Sequence, residues 1–154
     1  MRKPVVLITG AGGEIGHGLV MRLSDSSPII TLDVNPLDAK LAPLIQREFT
    51  GSVTDSNLLD RMLAEFEIEY VFHLAALLST RSEFTPLAAH QVNVAGTINL
   101  LEFAQKEGES HGRPVVFIYP SSIAAYGLPD LRDPRGSRLA WAPIAAEILR
   151  HPDR

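Results

Sequence analysis

The sequence predicts an α/β fold, a doubly wound parallel sheet of strand order 3-2-1-4-5. Three observations predict it. Apolar runs alternate with amphipathic stretches along the chain, as expected of parallel strands covered on both faces by helices. The first run, Val5-Val6-Leu7-Ile8, leads into a glycine cluster and then a helical pattern, which reads as strand, turn and helix. The residues with polar chemistry follow the strands' carboxyl ends, where such sheets bind ligands. Right-handed crossovers then give the strand order.

The elements follow in turn. After the first strand, a helix is expected from Glu14 to Leu23, with Ile15, Leu19 and Leu23 on one face and Val20 beside them. Ser24-Asp25-Ser26-Ser27-Pro28 breaks it. Ile29-Ile30-Thr31-Leu32 is the second strand and ends at Asp33; a short helix is then expected over Leu37 to Leu44. A third strand lies near Arg47-Glu48-Phe49-Thr50. Asp55 is placed to cap a helix carrying Leu58, Leu59, Met62, Leu63 and Phe66. Tyr70 to Leu74 is the fourth strand. A long helix then starts with Thr85 as cap and Pro86 at its first position. Its expected apolar stripe is Leu87, Val94, Ile98 and Leu101, and Gly108 is expected to end it. Val115 to Tyr119 is the fifth strand.

The glycine turn carries the first functional indication. Without a Cβ, glycine lets an anion reach the backbone, and a helix N-terminus offers free N–H groups and a favourable dipole. The spacing is Gly10-x-x-Gly13-x-x-Gly16, preceded by Thr9. It departs from Gly-x-Gly-x-x-Gly, which would need glycine where Ile15 stands. Asp33 comes roughly 20 residues on, the distance at which a carboxylate meets the adenosine ribose of a dinucleotide. It would repel a 2′-phosphate, and no Arg or Lys follows until Lys40, so NAD is expected rather than NADP. An Asp ending a strand can also do no more than solvate a loop.

Composition excludes several alternatives. The chain has 154 residues, suited to one domain, and 45% of them are apolar, enough for a core. A net charge of −4 gives no electrostatic reason to expect nucleic acid or an anionic membrane as partner. There is no cysteine, so disulfides and thiolate metal sites are excluded. No apolar segment reaches the length of a membrane span. The apolar run after Met1-Arg2-Lys3-Pro4 is too short for a signal peptide, so a soluble cytoplasmic protein is the expectation. No metal is expected: His73 has no second ligand at usable spacing and reads better as a partly buried, hydrogen-bonded histidine.

Several stretches together resemble the extended short-chain dehydrogenase/reductases, also called the NAD-dependent epimerase/dehydratase family. Thr9-Gly10-x-x-Gly13-x-x-Gly16 is similar to the family's cofactor turn, and Gly51-Ser52-Val53-Thr54-Asp55 to its Gly-Asp-Ile-x-Asp stretch. His73-Leu74-Ala75-Ala76 is similar to its signature after strand four. Asn93-Val94-x-Gly96-Thr97 resembles the start of its central helix, and Ser121-Ser122-x-x-x-Tyr126-Gly127 its active-site serine loop. Leu77-Leu78-Ser79 and Pro120-Ser121-Ser122-Ile123 resemble the L-threonine dehydrogenase branch. The resemblance implies a Rossmann-like fold and NAD as cofactor. It implies that Gly10, Gly13 and Ile15, with Glu14 in the same turn, line the pyrophosphate, and that Asp33 holds the ribose. Ser52 stands where the family usually has an Asp contacting adenine, with Val53 beside it. Leu74, Ala75 and Ala76 would pack along the cofactor, Asn93 would sit beneath it, and Ser121 would adjoin it. Ser122 would hydrogen-bond the substrate oxygen. Asn93 can equally be a local bend in its helix, and the two serines can be turn residues.

The family's chemistry also uses a Tyr-x-x-x-Lys pair, one helical turn apart. The lysine lowers the tyrosine pKa so that the phenol works as acid or base near neutral pH. This chain holds only Tyr70, Tyr119 and Tyr126, with Lys3, Lys40 and Lys106, and none has that spacing. Beyond Asp133 the text changes character. The expectation is an incomplete NAD-binding domain over residues 1–130, C-terminally truncated relative to the family. An atypical tail over 131–154 would follow, frame-shifted or carrying a short helix near 143–151 with Glu147 and His151 one turn apart. The expected function is the NAD-binding portion of an enzyme that moves hydride between a substrate carbinol and NAD. The substrate would be a sugar nucleotide, amino acid or hydroxy acid. The alternatives are a non-catalytic NAD- or partner-binding protein, or an inactive fragment, and exposed apolar surface would favour self-association.

Overall fold

The computed structural model describes residues 4–121. The chain separates into compact units after Tyr119, and the sheet with its helices lies in the first. Ser122, the tail helix near 143–151 and the boundary expected at residue 130 lie outside the described residues.

Five parallel strands form one sheet of order β3-β2-β1-β4-β5, as the sequence predicts. They are β1 (Val5–Thr9), β2 (Ile29–Asp33), β3 (Arg47–Thr50), β4 (Ile68–His73) and β5 (Val116–Ile118). All five residues of β1 are buried, because the strand sits mid-sheet with both faces covered. Its side chains alternate between two cores. Val5 and Leu7 join Leu58, Met62, Val71, Leu100 and Phe103 on one face. Val6 and Ile8 join Ala11, Val20, Ile29 and Leu41 on the other. From β1 the chain crosses first to β2 on one side and later to β4 on the other. Connections therefore diverge at the carboxyl end of β1, which opens a crevice there.

Helix α1 (Glu14–Leu23) has the expected bounds but a different rotation. Its buried residues are Gly16 and Val20, with Leu19 and Leu23 packed beside them, while Ile15 is 64% exposed. Gly16 causes this. A Cβ there would lie 2.5 Å from the Gly10 carbonyl and 2.6 Å from Ala11 Cα, so only this face of the helix can rest on the turn. The helix expected over Leu37 to Leu44 is reduced to a 3₁₀ turn at Ala42–Leu44. Upstream amides bond to side chains instead: Leu37 N–H donates to Glu48 (2.8 Å) and Lys40 N–H to Asp38 (2.9 Å). Such bonds compete with helix formation.

Helix α2 (Ser56–Glu65) is capped as predicted, with Asp55 Oδ1 accepting from Leu58 N–H at 3.1 Å. After β4 comes a short helix, α3 (Ser79–Phe84), that the sequence reading did not expect. Helix α4 (Pro86–His90) begins at the predicted proline with Thr85 as its N-cap, but the threonine side chain makes no capping bond; its hydroxyl donates backward to Arg81 O at 2.9 Å. Helix α4 continues through a π turn at Gln91–Ala95 into α5 (Gly96–His111). The buried face of α5 is Gly96, Leu100, Phe103, Ala104 and Glu107. The expected stripe of Leu87, Val94, Ile98 and Leu101 faces outward instead, 72%, 44%, 50% and 48% exposed. This helix is apolar on more than one side, and Gly96 selects the buried one. A Cβ there would meet Val53 Cγ2 at 2.5 Å, so glycine permits the close approach. Gly108 does not end the helix. That role falls to Gly112, in the left-handed conformation with φ 64°.

Candidate functional site

A groove opens beyond the carboxyl ends of β1, β2 and β4. Five segments line it: Gly10 and Gly13 after β1, Leu32 to Val34 at the end of β2, Gly51 to Val53 after β3, Leu74 to Leu77 after β4, and Val92 in the π turn. Of the residues singled out from sequence, Gly10, Gly13, Asp33, Ser52, Val53, Leu74, Ala75 and Ala76 meet here. Gly51 and Leu77, quoted above only as members of family-like motifs, join them, as do Leu32, Val34 and Val92, which nothing local distinguishes from core or turn residues.

The glycine turn has a specific build. Gly10 has φ 68°, and a Cβ on it would lie 2.7 Å from Ala75 N and 2.8 Å from Leu74 C. Its N–H donates to Leu32 O at 2.9 Å, which ties the turn to β2. Gly13 is the N-cap of α1 and provides no side-chain hydrogen bond to it. The helix therefore starts beside the groove without a side-chain cap, and first-turn amides are suited to an anion. Glu14 and Ile15 lie in that first turn but are exposed and outside the groove lining.

Asp33 faces this turn. Its Oδ2 accepts from Gly12 N–H at 2.9 Å and its Oδ1 from Asn35 N–H at 3.1 Å. A carboxylate has about four acceptor positions, so each oxygen keeps capacity for a further donor. Ser52 is drawn into a local turn: its hydroxyl pairs with that of Thr54 at 2.7 Å and accepts from Thr54 N–H at 3.1 Å. It lines the groove as a small polar group without a charge.

Asn93 sits in the π turn, and its amide grips the backbone of Leu77 from both sides. Its Oδ1 accepts from Leu77 N–H at 2.7 Å, and its Nδ2 donates to Leu77 O at 2.9 Å. Short π segments often mark functional positions. Here the segment puts an amide against the groove wall. Further along, Asn99 donates to Val53 O at 3.2 Å. One helix thus holds two of the groove-lining segments. Asn99 gave no sequence signal, because its task is set by a backbone carbonyl 46 positions away.

His73 is 1% exposed. Its Nδ1 lies 2.8 Å from Thr9 Oγ1 and its Nε2 lies 2.9 Å from Thr97 Oγ1. The Phe117 and Tyr119 rings pack against it, at centroid distances of 6.0 and 5.4 Å. Burial lowers its pKa from 6.5 to about 4, since it disfavours the charged ring. Ser121 is exposed and lies in the other compact unit. Among the described residues no cluster of three or more His, Asp or Glu is placed to hold a metal ion. Among them, too, no helix is long and apolar enough to cross a membrane.

Comparison with known proteins finds the same architecture. A family model described as the NAD dependent epimerase/dehydratase family matches residues 6–146. An uncharacterized epimerase/dehydratase of Staphylococcus aureus (strain USA300) is 32% identical over 126 residues, 79% of this chain and 37% of its own. The L-threonine dehydrogenase of Clostridium difficile superposes with a TM-score of 0.69 at 31% identity, over 82% of this chain and 39% of its own. The UDP-glucose 4-epimerase of Thermotoga maritima, solved with UDP-glucose, superposes with a TM-score of 0.67 at 30% identity. That match covers 79% of this chain and 39% of the epimerase. This chain thus spans less than half the length of each of these relatives.

Proposed function

We propose, from the premise that this chain belongs to the NAD-dependent epimerase/dehydratase family, that its groove binds NAD. The chain would serve as the cofactor-binding part of an oxidoreductase- or epimerase/dehydratase-type enzyme. The observation that carries this reading is the meeting of Asp33 with the glycine turn. One carboxylate with spare acceptor capacity stands beside the uncapped start of α1. That pairing suits a ribose diol next to a diphosphate.

The residues present fit the cofactor. Gly10 and Gly13 leave the backbone open to the diphosphate, and Asp33 accepts from the ribose hydroxyls. Ser52 and Val53 take the adenine side, where a serine hydroxyl replaces the charge usual in the family. Leu74, Ala75 and Ala76 give an apolar wall with small side chains. Glu14 and Ile15 contribute main-chain N–H groups, their side chains pointing to solvent. Asn93 acts through Leu77. By the family resemblance Ser121 would adjoin the cofactor and Ser122 would bond the substrate oxygen. When bound, NAD accepts or donates the hydride. The substrate is a small carbinol: a sugar nucleotide, an amino acid or a hydroxy acid.

No Tyr-x-x-x-Lys pair falls within these 154 residues, and a second reading stands beside the first. In it the protein binds NAD without turnover of its own, or acts beside a partner that provides the pair. Titration with NADH, followed by its fluorescence, tests the first proposal. Saturable binding, weaker for NADPH, is expected. No saturable signal from folded protein overturns it. A hydride-transfer assay across sugar nucleotides, threonine and hydroxy acids then separates an enzyme from a binding protein.

A further inference from the structure

We propose that His73, neutral with its proton on Nε2, is a positioning residue that fixes the post-β4 wall of the groove through both of its ring nitrogens. The inference rests on the NAD reading above for its functional consequence and on hydrogen-bond geometry for its substance. The proton positions follow from counting donors. Thr9 Oγ1 lies near the amides of Leu74 (3.2 Å) and Ala75 (3.3 Å), and amides can only donate. Both amides, Leu74's shared with Thr9 O at 3.1 Å, donate to the oxygen's lone pairs, so its own proton goes to His73 Nδ1 at 2.8 Å. On the other side, Thr97 Oγ1 donates to Asn93 O at 2.8 Å. Its remaining capacity is as acceptor, so Nε2–H donates to it at 2.9 Å. The opposite tautomer would bring three donors onto Thr9 and leave Asn93 O without its hydroxyl partner.

The consequence reaches the groove at two points. The neutral Nδ1 turns the Thr9 hydroxyl so that its lone pairs hold Leu74 and Ala75. Nε2–H and Thr97 fix the carbonyl of Asn93, whose amide grips Leu77. Both ends of the Leu74-to-Leu77 wall are therefore set by one imidazole. The groups facing the ring are Thr9 from β1, Thr97 from α5, and Phe117 and Tyr119 from β5 and its end. Tyr119 alone among these four is titratable. Burial keeps the ring neutral at pH 7. A proton on Nδ1 would face an oxygen already occupied by two amides and displace them.

The test compares His73→Phe, Thr97→Val and Thr97→Ser in the full chain. Thr97→Ser keeps the hydroxyl and is expected to hold NADH affinity within about twofold of wild type. Thr97→Val and His73→Phe are expected to weaken it about fivefold to tenfold, the effect of one lost hydrogen bond in a constrained wall. ¹⁵N NMR of the imidazole is expected to show Nε2 protonated and Nδ1 bare at pH 7. If every folded variant binds NADH as wild type does, or Nδ1 carries the proton, the proposal is overturned. If His73→Phe does not fold, Thr97→Val against Thr97→Ser decides. If wild type itself binds no NADH, the functional reading fails separately. Amide exchange then judges the network: faster exchange at Ala75 and Leu77 in Thr97→Val than in Thr97→Ser supports it, and equal exchange overturns it.

Discussion

Asp33, Gly10 and His73 each act through a contact to chain distant in sequence. Asp33 holds Gly12 and Asn35 while keeping acceptor capacity for a ligand. Asp33→Ala is expected to raise the NAD Kd roughly tenfold or more, as loss of a charged acceptor does, and to narrow the preference over NADP. Parallel titrations of both cofactors check it. Gly10→Ala adds a Cβ at φ 68° into the Leu74–Ala75 backbone. A cost of roughly 3 kcal/mol from left-handed strain and overlap is expected in urea unfolding, together with loss of NAD binding. For His73 the folded pKa is about 4 against an ordinary 6.5. Above pH 6.5 both states leave the ring neutral and its burial carries no proton penalty. Between pH 6.5 and 4 the unfolded chain takes up a proton that the folded chain refuses, so stability falls as pH falls. The loss approaches roughly 3 kcal/mol near pH 4 and then levels off. Urea midpoints across that range, in wild type and Thr97→Ser, are expected to share this slope.

Among the elements, those with a local cause were legible in the sequence. Asp55 caps α2 as its position three residues before Leu58 predicts, and Asp55→Ala is expected to cost about 1 kcal/mol with no change in NAD affinity. Thermal unfolding and NADH titration of the same variant check both parts. Rotations were not legible. The apolar positions of α1 and of the long helix admit more than one buried face, and glycine decided between them. Gly16 seats α1 on Gly10 and Ala11, and Gly96 seats α5 on Val53. In both cases the deciding contact is with another element. The loss of a helix after Leu37 has the same origin, since the Glu48 carboxylate takes a backbone donor from a distance.

At the scale of the molecule, the exposed apolar side chains set the behaviour to expect in solution. Leu87, Val94, Ile98 and Leu101 are exposed along α4 and α5, and Tyr70, Val116 and Ile118 are exposed on β4 and β5. Apolar area of this extent is expected to drive self-association in the isolated chain. Sedimentation velocity is expected to show mass rising with concentration and with sulfate, which strengthens apolar burial. Leu101→Glu with Ile98→Lys is expected to reduce it. A monodisperse monomer at high concentration would count against this expectation. The groove lies at the carboxyl ends of the strands, so NAD affinity is expected to be independent of these substitutions.

The sequence alone determined the parallel sheet, its order, the glycine turn and the acidic residue that faces it. Alternating apolar runs, glycine spacing and right-handed crossovers are local or topological facts, and a single chain states them. The tertiary structure alone decided which helix faces are buried and that Asn93 and Asn99 brace the groove walls. It also decided which partners hold the hydrogen-bonded His73, Thr9 on one side and Thr97 on the other. The asparagine and histidine contacts join residues 16 to 64 positions apart, and a pattern within one segment does not encode the distance across a fold.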